Sequence, residues 1–167
     1  MRCLEALAEL ALPQGFIGAG FLRNAIWDAQ HNKALPTPLN DIDVVYFCHQ
    51  SPRQRDDELE RCLSMLVPQA NWQVKNQARM HKQHNHAPYN SCEHALSYWI
   101  EQETCVAVSL SQSGAFSLLA PYGLEANFAQ TITINPRFPR PDVFKDRVAK
   151  KGWLKQWPNL RIQPYSL

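Results

Sequence analysis

The chain has 167 residues, 45% of them apolar, enough for one well-buried core, so a single domain over residues 1–167 is expected. Its formal charge of +2 is unevenly divided: residues 1–136 carry nine Lys/Arg against thirteen Asp/Glu, and residues 137–167 carry eight against two. No apolar run approaches the roughly 20 residues that span a bilayer, and five scattered cysteines without a Cys-x-x-Cys argue against a disulfide frame; the expectation is a cytoplasmic protein with reduced thiols and no membrane partner.

Cys3, Leu4, Leu7, Ala8, Leu10 and Ala11 recur at helical spacing until Pro13, predicting a helix over 2–11. Phe16-Ile17-Gly18-Ala19 reads as a short strand, and Phe21 to His31 as a helix with Leu22, Ile26 and Ala29 on one face. Pro36, Pro38 and Asn40 make 32–40 a loop. Ile42–Phe47 is a β-rich run, and Arg53–Leu66 a helix with Leu59, Cys62, Leu63 and Leu66 inward. Trp72–Ala78 predicts a third strand, and the histidine-rich stretch 79–90 a loop ending at Pro88. Ser91 is placed to cap a helix through Trp99, with Glu93 in the first turn, where negative charge suits the helix dipole. Residues 104–110 and 116–119 read as a hairpin around Gln112-Ser113-Gly114, and a last helix covers 141–151. Strand and helix alternate early and then give way to a hairpin. This predicts an α/β (α+β) fold, a mixed β-sheet flanked by helices, with the basic segment 137–167 packed on it.

The chemistry concentrates in residues 16–47. Period-2 alternation puts Asp41, Asp43 and Val45 on one strand face, and two carboxylates about 7 Å apart along a strand are able to share magnesium ions. Magnesium takes one or two carboxylates and fills its remaining positions with water and substrate phosphate oxygens. Upstream, the turn at Gly18-Ala19-Gly20 allows backbone to approach a phosphate, and the helix that follows presents free N–H groups to the anion. Arg23 lies one turn into that helix, within reach of a phosphate oxygen. Taken alone, Asp41 and Asp43 also fit a solvated strand start after Asn40, and the glycines fit close helix–strand packing. The ordered pair of motifs favours a triphosphate–magnesium site.

Ala19-Gly20-Phe21-Leu22-Arg23-Asn24 followed by Asp41-Ile42-Asp43 is similar to the Gly-Gly-x-x-Arg-Asp … Asp-x-Asp signature of the DNA polymerase β-like nucleotidyltransferase superfamily, which includes tRNA CCA-adding enzymes and bacterial poly(A) polymerases. Asp41–Phe47, Val74–His81 and Ala120–Leu124 resemble a group of small bacterial nucleotidyltransferase-like proteins more closely. The resemblance implies a nucleotidyltransferase-fold domain that moves a nucleoside monophosphate from a nucleoside triphosphate to a hydroxyl acceptor, RNA or a small molecule. Asp41 and Asp43 would be the metal ligands and catalytic acids, and Gly18, Gly20, Arg23 and Asn24 would hold the nucleotide. Two departures stand out. Twenty residues separate Gly20 from Asp41, so 32–40 reads as an insertion. Active members carry a third carboxylate on the following strand, whereas no Asp or Glu occurs here between Glu60 and Glu93. Asn76 or Gln77 is able to ligate a metal but not to act as a base, and Glu93 is the nearest acid to stand in as a catalytic group. A catalytically impaired nucleotide- or RNA-binding module is therefore the alternative.

Lys75, Gln77 and Arg79 alternate along the predicted third strand; with Asn76 they are assigned to the nucleotide, or otherwise to an exposed strand face. His81, His84, His86, Cys92 and His94 match no standard zinc spacing and read better as a polar loop at the site mouth. Trp153 and Trp157, among Lys150, Lys151, Lys155 and Arg161, suit single-stranded RNA, but, with Trp99 and Tyr165, they suit packing of a proline-rich tail better.

Overall fold

Alternation along β2 (Ile42–Tyr46) sorts the molecule into layers. The computed structural model, which describes residues 1–165, places β2 next to the centre of a five-stranded sheet with β1 (Phe16–Gly18), β3 (Trp72–Asn76), β4 (Ala107–Leu110) and β5 (Phe116–Leu119). The order is β3-β2-β1-β4-β5. β2 and β3 are parallel, as the crossover through helix α3 (Gln54–Leu66) requires, and the other pairs are antiparallel. In register, Asp43 lies opposite Gln73 and Val44 opposite Ile17.

Ile42, Val44 and Tyr46 point to one face, where they join Ile17, Val74 and Val108 beneath α1 (Arg2–Glu9) and α3, which supply Leu4, Leu7, Leu59 and Leu63. Val45 and Phe47 point to the other face and meet Ala107, Ala78 of α4 (Gln77–His84) and Cys92, Ala95 and Leu96 of α5 (Cys92–Leu96). Asp43 belongs to this second face. A third cluster gathers on α2 (Gly20–Gln30) from the far end of the chain. Trp27 packs there with Ile132 and Ile134, with Phe144 and Val148 of α7 (Pro141–Lys151), with Trp153 of α8 (Trp153–Gln156), and with Trp157 and Leu160. Trp153 and Trp157 meet Trp27 edge-on, with ring centroids 5.7 and 5.1 Å away, and Trp157 Nε1 donates to Asp28 Oδ1 at 2.8 Å. A short helix α6 (Glu125–Phe128) and the parallel pair β6 (Thr131–Ile132) and β7 (Arg161–Ile162) complete this layer. Among the described residues no helix is long and apolar enough to cross a membrane.

On α2, Leu22 packs partly buried against the sheet core, and Arg23, Trp27 and Asp28 are buried as well, because the C-terminal segment covers the side opposite the sheet. Two expectations are corrected. The third strand stops at Asn76 rather than Ala78, and residues 77–84 are helical, so the expected loop over 79–90 is helix through His84. The Asn76 side chain caps that helix by accepting from the Ala78 N–H at 3.1 Å, while its Nδ2 donates to the Cys48 carbonyl at 2.6 Å. Lys75, Gln77 and Arg79 therefore do not share a strand face. The Ser91 side chain does accept from the His94 N–H, at 3.0 Å, although the helix it begins ends at Leu96.

Candidate active site

A cavity of 390 Å³ opens over the Asp41 end of β2, within the size range of small-ligand sites. One wall is the β1–α2 turn, and its conformation sits on Ala19. That residue has φ 53° and ψ −120°, a region that favours glycine, and it is anchored by its N–H to the Val106 carbonyl at 2.9 Å. Gly20 lines the cavity; a Cβ there would lie 3.4 Å from Arg23 Nη2 and 3.5 Å from Leu39 Cδ2, so the missing side chain keeps the mouth open. Gly18 does not line it. It lies on β1 under Trp99, whose ring would be 3.0 Å from an added Cβ, so packing explains that glycine.

Arg23 enters from α2 and is 6% exposed. Its guanidinium lies over Trp27 and Trp153, at 5.1 and 4.5 Å from their ring centroids, and donates to Asn24 Oδ1 and, at 2.9 Å, to Thr104 Oγ1. Burial lowers its pKa to about 10, so it stays charged at neutral pH. Thr104 passes the bond on to Glu101 Oε2 at 2.9 Å. Glu101, without solvent exposure, is also held by Arg147 of α7 through Nε at 2.7 Å and Nη2 at 3.2 Å. Asp41 and Asp43 are half-buried neighbours on the cavity floor. Burial, and then the Asp41 charge, push Asp43 above the usual carboxylate range, while Lys151, Arg23 and Arg147 act against that rise. The Gln73 side-chain amide approaches Asp41 Oδ2 at 3.4 Å. Two carboxylates facing a cavity that a phosphate ligand can enter are a donor set suited to a hard, oxygen-binding cation such as magnesium.

Asp41, Asp43, Gly20, Arg23 and Asn24 thus meet in one cavity. The remaining candidates lie elsewhere. Lys75 borders a smaller neighbouring cavity of 130 Å³ that shares Asp43, and its Nζ is 3.8 Å from Glu60. Asn76 is buried as the α4 cap. Arg79, one turn into α4, pairs with Asp56 at 2.6 Å and donates to the Ser51 carbonyl at 2.8 Å, tying α4 to the start of α3. Glu93 lies exposed on α5 beside a shallow surface depression with His94 and Arg137. The cavity lining holds no acid besides Asp41 and Asp43, and no group of three His, Cys, Asp or Glu is arranged to hold a metal among the described residues. The histidines join an aromatic rim instead: the His86 ring bonds the Tyr89 hydroxyl at 2.6 Å, and His94 Nε2 is 3.2 Å from Arg137 Nη2.

Sequence reasoning passed over Glu101, Thr104, Arg147 and Trp27. The spacing of Arg147 and Lys151, one turn apart on a predicted helix, was the available signal for that wall. Nothing local marks Glu101, which follows Tyr98-Trp99-Ile100.

A family model described as Nucleotidyltransferase matches residues 5–162. A solved structure described as an NMR structure revealing a CCA-adding enzyme head domain aligns with TM-score 0.84 at 31% identity, covering 98% of this chain and 88% of that one. A CCA-adding enzyme in complex with CTP aligns with TM-score 0.59 at 13% identity, covering 97% of this chain and 38% of that one. A tRNA nucleotidyltransferase complexed with a primer tRNA and an incoming ATP analog aligns with TM-score 0.58 at 16% identity, covering 96% and 46%. The chain thus spans less than half the length of those last two, whose likeness is one of fold. No curated protein matches.

Proposed function

Since the chain belongs to the nucleotidyltransferase family, we propose that it transfers a nucleoside monophosphate from a nucleoside triphosphate to a hydroxyl acceptor, with magnesium bound by Asp41 and Asp43. The observation that carries this reading is the convergence of those carboxylates with Gly20, Arg23 and Asn24 in one cavity. Bound magnesium supplies neutralisation of charge at the reacting phosphate. The free N–H groups at the start of α2 and the Arg23 guanidinium bind polyphosphate oxygens. Leu39, Trp99 and Trp153 shield the cavity from water. The acceptor oxygen attacks the α-phosphorus in line, its bond to phosphorus forms as the bond to the pyrophosphate oxygen breaks, and the hydroxyl proton passes to solvent. We assign the activity to the cytoplasm, in keeping with five free thiols.

The acceptor is a hydroxyl of RNA or of a small molecule, and one experiment separates them. The protein is incubated with magnesium, each α-³²P-labelled triphosphate and cell extract. Label in nuclease-sensitive, acid-insoluble material identifies RNA, and label in a small product that resists phosphatase but is cleaved by phosphodiesterase identifies a metabolite. Asp41→Ala, with an unchanged circular dichroism spectrum, abolishes both. A second reading, nucleotide binding without turnover, draws on the absence of a third acid from the cavity lining and on the Gln73 amide beside Asp41. Magnesium-dependent binding of the triphosphate with no label transferred selects that reading.

A further inference from the structure

The cations of the cavity come mostly from the end of the chain. Arg23, Arg140, Arg147 and Lys151 face Asp41 and Asp43, and three of those four belong to residues 137–151. Arg147 and Lys151 are four residues apart on α7 and so lie on one side of the helix. Lys145 and Lys150 of the same helix do not line the cavity, and Lys150 pairs with Asp146 at 3.5 Å.

Arg147 is held in place. Glu101, fully buried, takes two of its donors, and the same carboxylate is bonded by Thr104, which accepts from Arg23. One buried acid thus orders two arginines, and a positive excess is left facing the cavity. A buried carboxylate is tolerated only where partners compensate its desolvation. Here the partner keeps 35% side-chain exposure, and its Nη1 has no bond among the described residues. A purely structural pair has no need to place its arginine in the lining of a cavity.

We infer that α7 is a phosphate clamp, in which Arg147, positioned by Glu101, and Lys151 bind the β- and γ-phosphates of the triphosphate and the pyrophosphate that leaves. This rests on the nucleotide-site reading above and adds to it the source of the charge that holds the polyphosphate tail. It also gives the basic C-terminal segment a ligand within its own domain.

The test is calorimetric titration with inorganic tripolyphosphate, which has neither base nor sugar, and in parallel with magnesium ATP. Arg147→Met and Lys151→Met each weaken both ligands by roughly 10- to 100-fold, the loss expected for a charge-assisted hydrogen bond. Arg147→Lys restores part of the affinity. Glu101→Gln weakens tripolyphosphate binding and raises KM for the triphosphate more than it lowers kcat, which a simple loss of fold does not do. Lys145→Ala, on the same helix but away from the cavity, binds as the wild type does. Should Arg147→Met fold poorly, Lys151→Met decides alone, because Lys151 is exposed and has no ion-pair partner among the described residues. Wild-type binding by well-folded Arg147→Met and Lys151→Met overturns the clamp and leaves the nucleotide site standing, as does equal weakening by Lys145→Ala. Failure of the wild-type protein to bind either ligand overturns both.

Discussion

The cavity has two walls of different construction. The wall made by the β1–α2 turn and the start of β2 lies within residues 18–43, and short-range geometry sets it: a turn forced by Ala19, a helix start, and an alternating strand that brings Asp41 and Asp43 to one face. The opposite wall comes from residues 98–104 and 138–157, and long-range packing holds it to the first. The Trp157–Asp28 bond spans 129 positions, and the Arg147–Glu101 pair spans 46. The first wall carries the two carboxylates proposed to do the chemistry. The second confines them, supplies most of the positive charge and buries the arginine of the first.

If that division holds, damage to the first wall removes activity without unfolding the protein, and damage to the packed residues that hold the second wall in place, such as Trp157, unfolds or loosens it. The largest effect is expected from Asp41→Ala, which lowers nucleotidyl transfer by roughly 1,000-fold or more, since charge neutralisation at the reacting phosphate is the main catalytic contribution. Thermal melting of that variant stays near the wild-type curve, and a large fall in melting temperature would erase the distinction between the walls. Trp157→Ala tests the other side. It removes a buried ring, its edge contact with Trp27 and the bond to Asp28, and is expected to cost about 3–5 kcal/mol of stability by denaturant titration. A cost below about 1 kcal/mol would mean that the C-terminal segment is only loosely attached.

Ala19→Gly sharpens the comparison at the turn itself. The native φ of 53° with ψ −120° strains a residue with a Cβ, so glycine is expected to stabilise the protein by about 1 kcal/mol while leaving triphosphate affinity unchanged. A drop in melting temperature would show that the alanine methyl is needed for packing. The smallest effect concerns the aromatic rim. Burial, then the like charges of His84 and Arg140, hold His86 below the ordinary imidazole value of 6.5; burial and Arg137 do the same for His94. A folded value below the unfolded one means that the unfolded chain binds the proton more tightly. That stability is present above pH 6.5 and is lost as the pH falls through the folded values. Melting curves should therefore shift down between about pH 7.5 and 5.5, and less so in His86→Asn.

The same division explains what could be read from the residues alone. Asp41, Asp43, Gly20, Arg23 and Asn24 lie close in sequence and were legible as a motif, and the helix expected over 141–151 is α7. Asn76 was misread because a polar residue inside a β-like run looks like one more strand position, whereas its side chain ends the strand by capping α4. That single cap moved Gln77 and Arg79 off the predicted strand face. Glu101 was invisible for the opposite reason: its partners Arg147 and Thr104 depend on folding that no local pattern encodes. Gly18 matched the motif by position, yet its surroundings show a glycine that makes room for Trp99.

The most direct test of the central claim is a quantitative assay of pyrophosphate release alongside α-phosphate label transfer, in magnesium and in EDTA, for the wild type and an Asp41→Ala/Asp43→Ala double variant. The account predicts that the wild type releases one pyrophosphate for each labelled nucleotide transferred, only with magnesium, and that the double variant does neither while remaining folded. Release of inorganic phosphate instead of pyrophosphate, or equal turnover by the double variant, would contradict it.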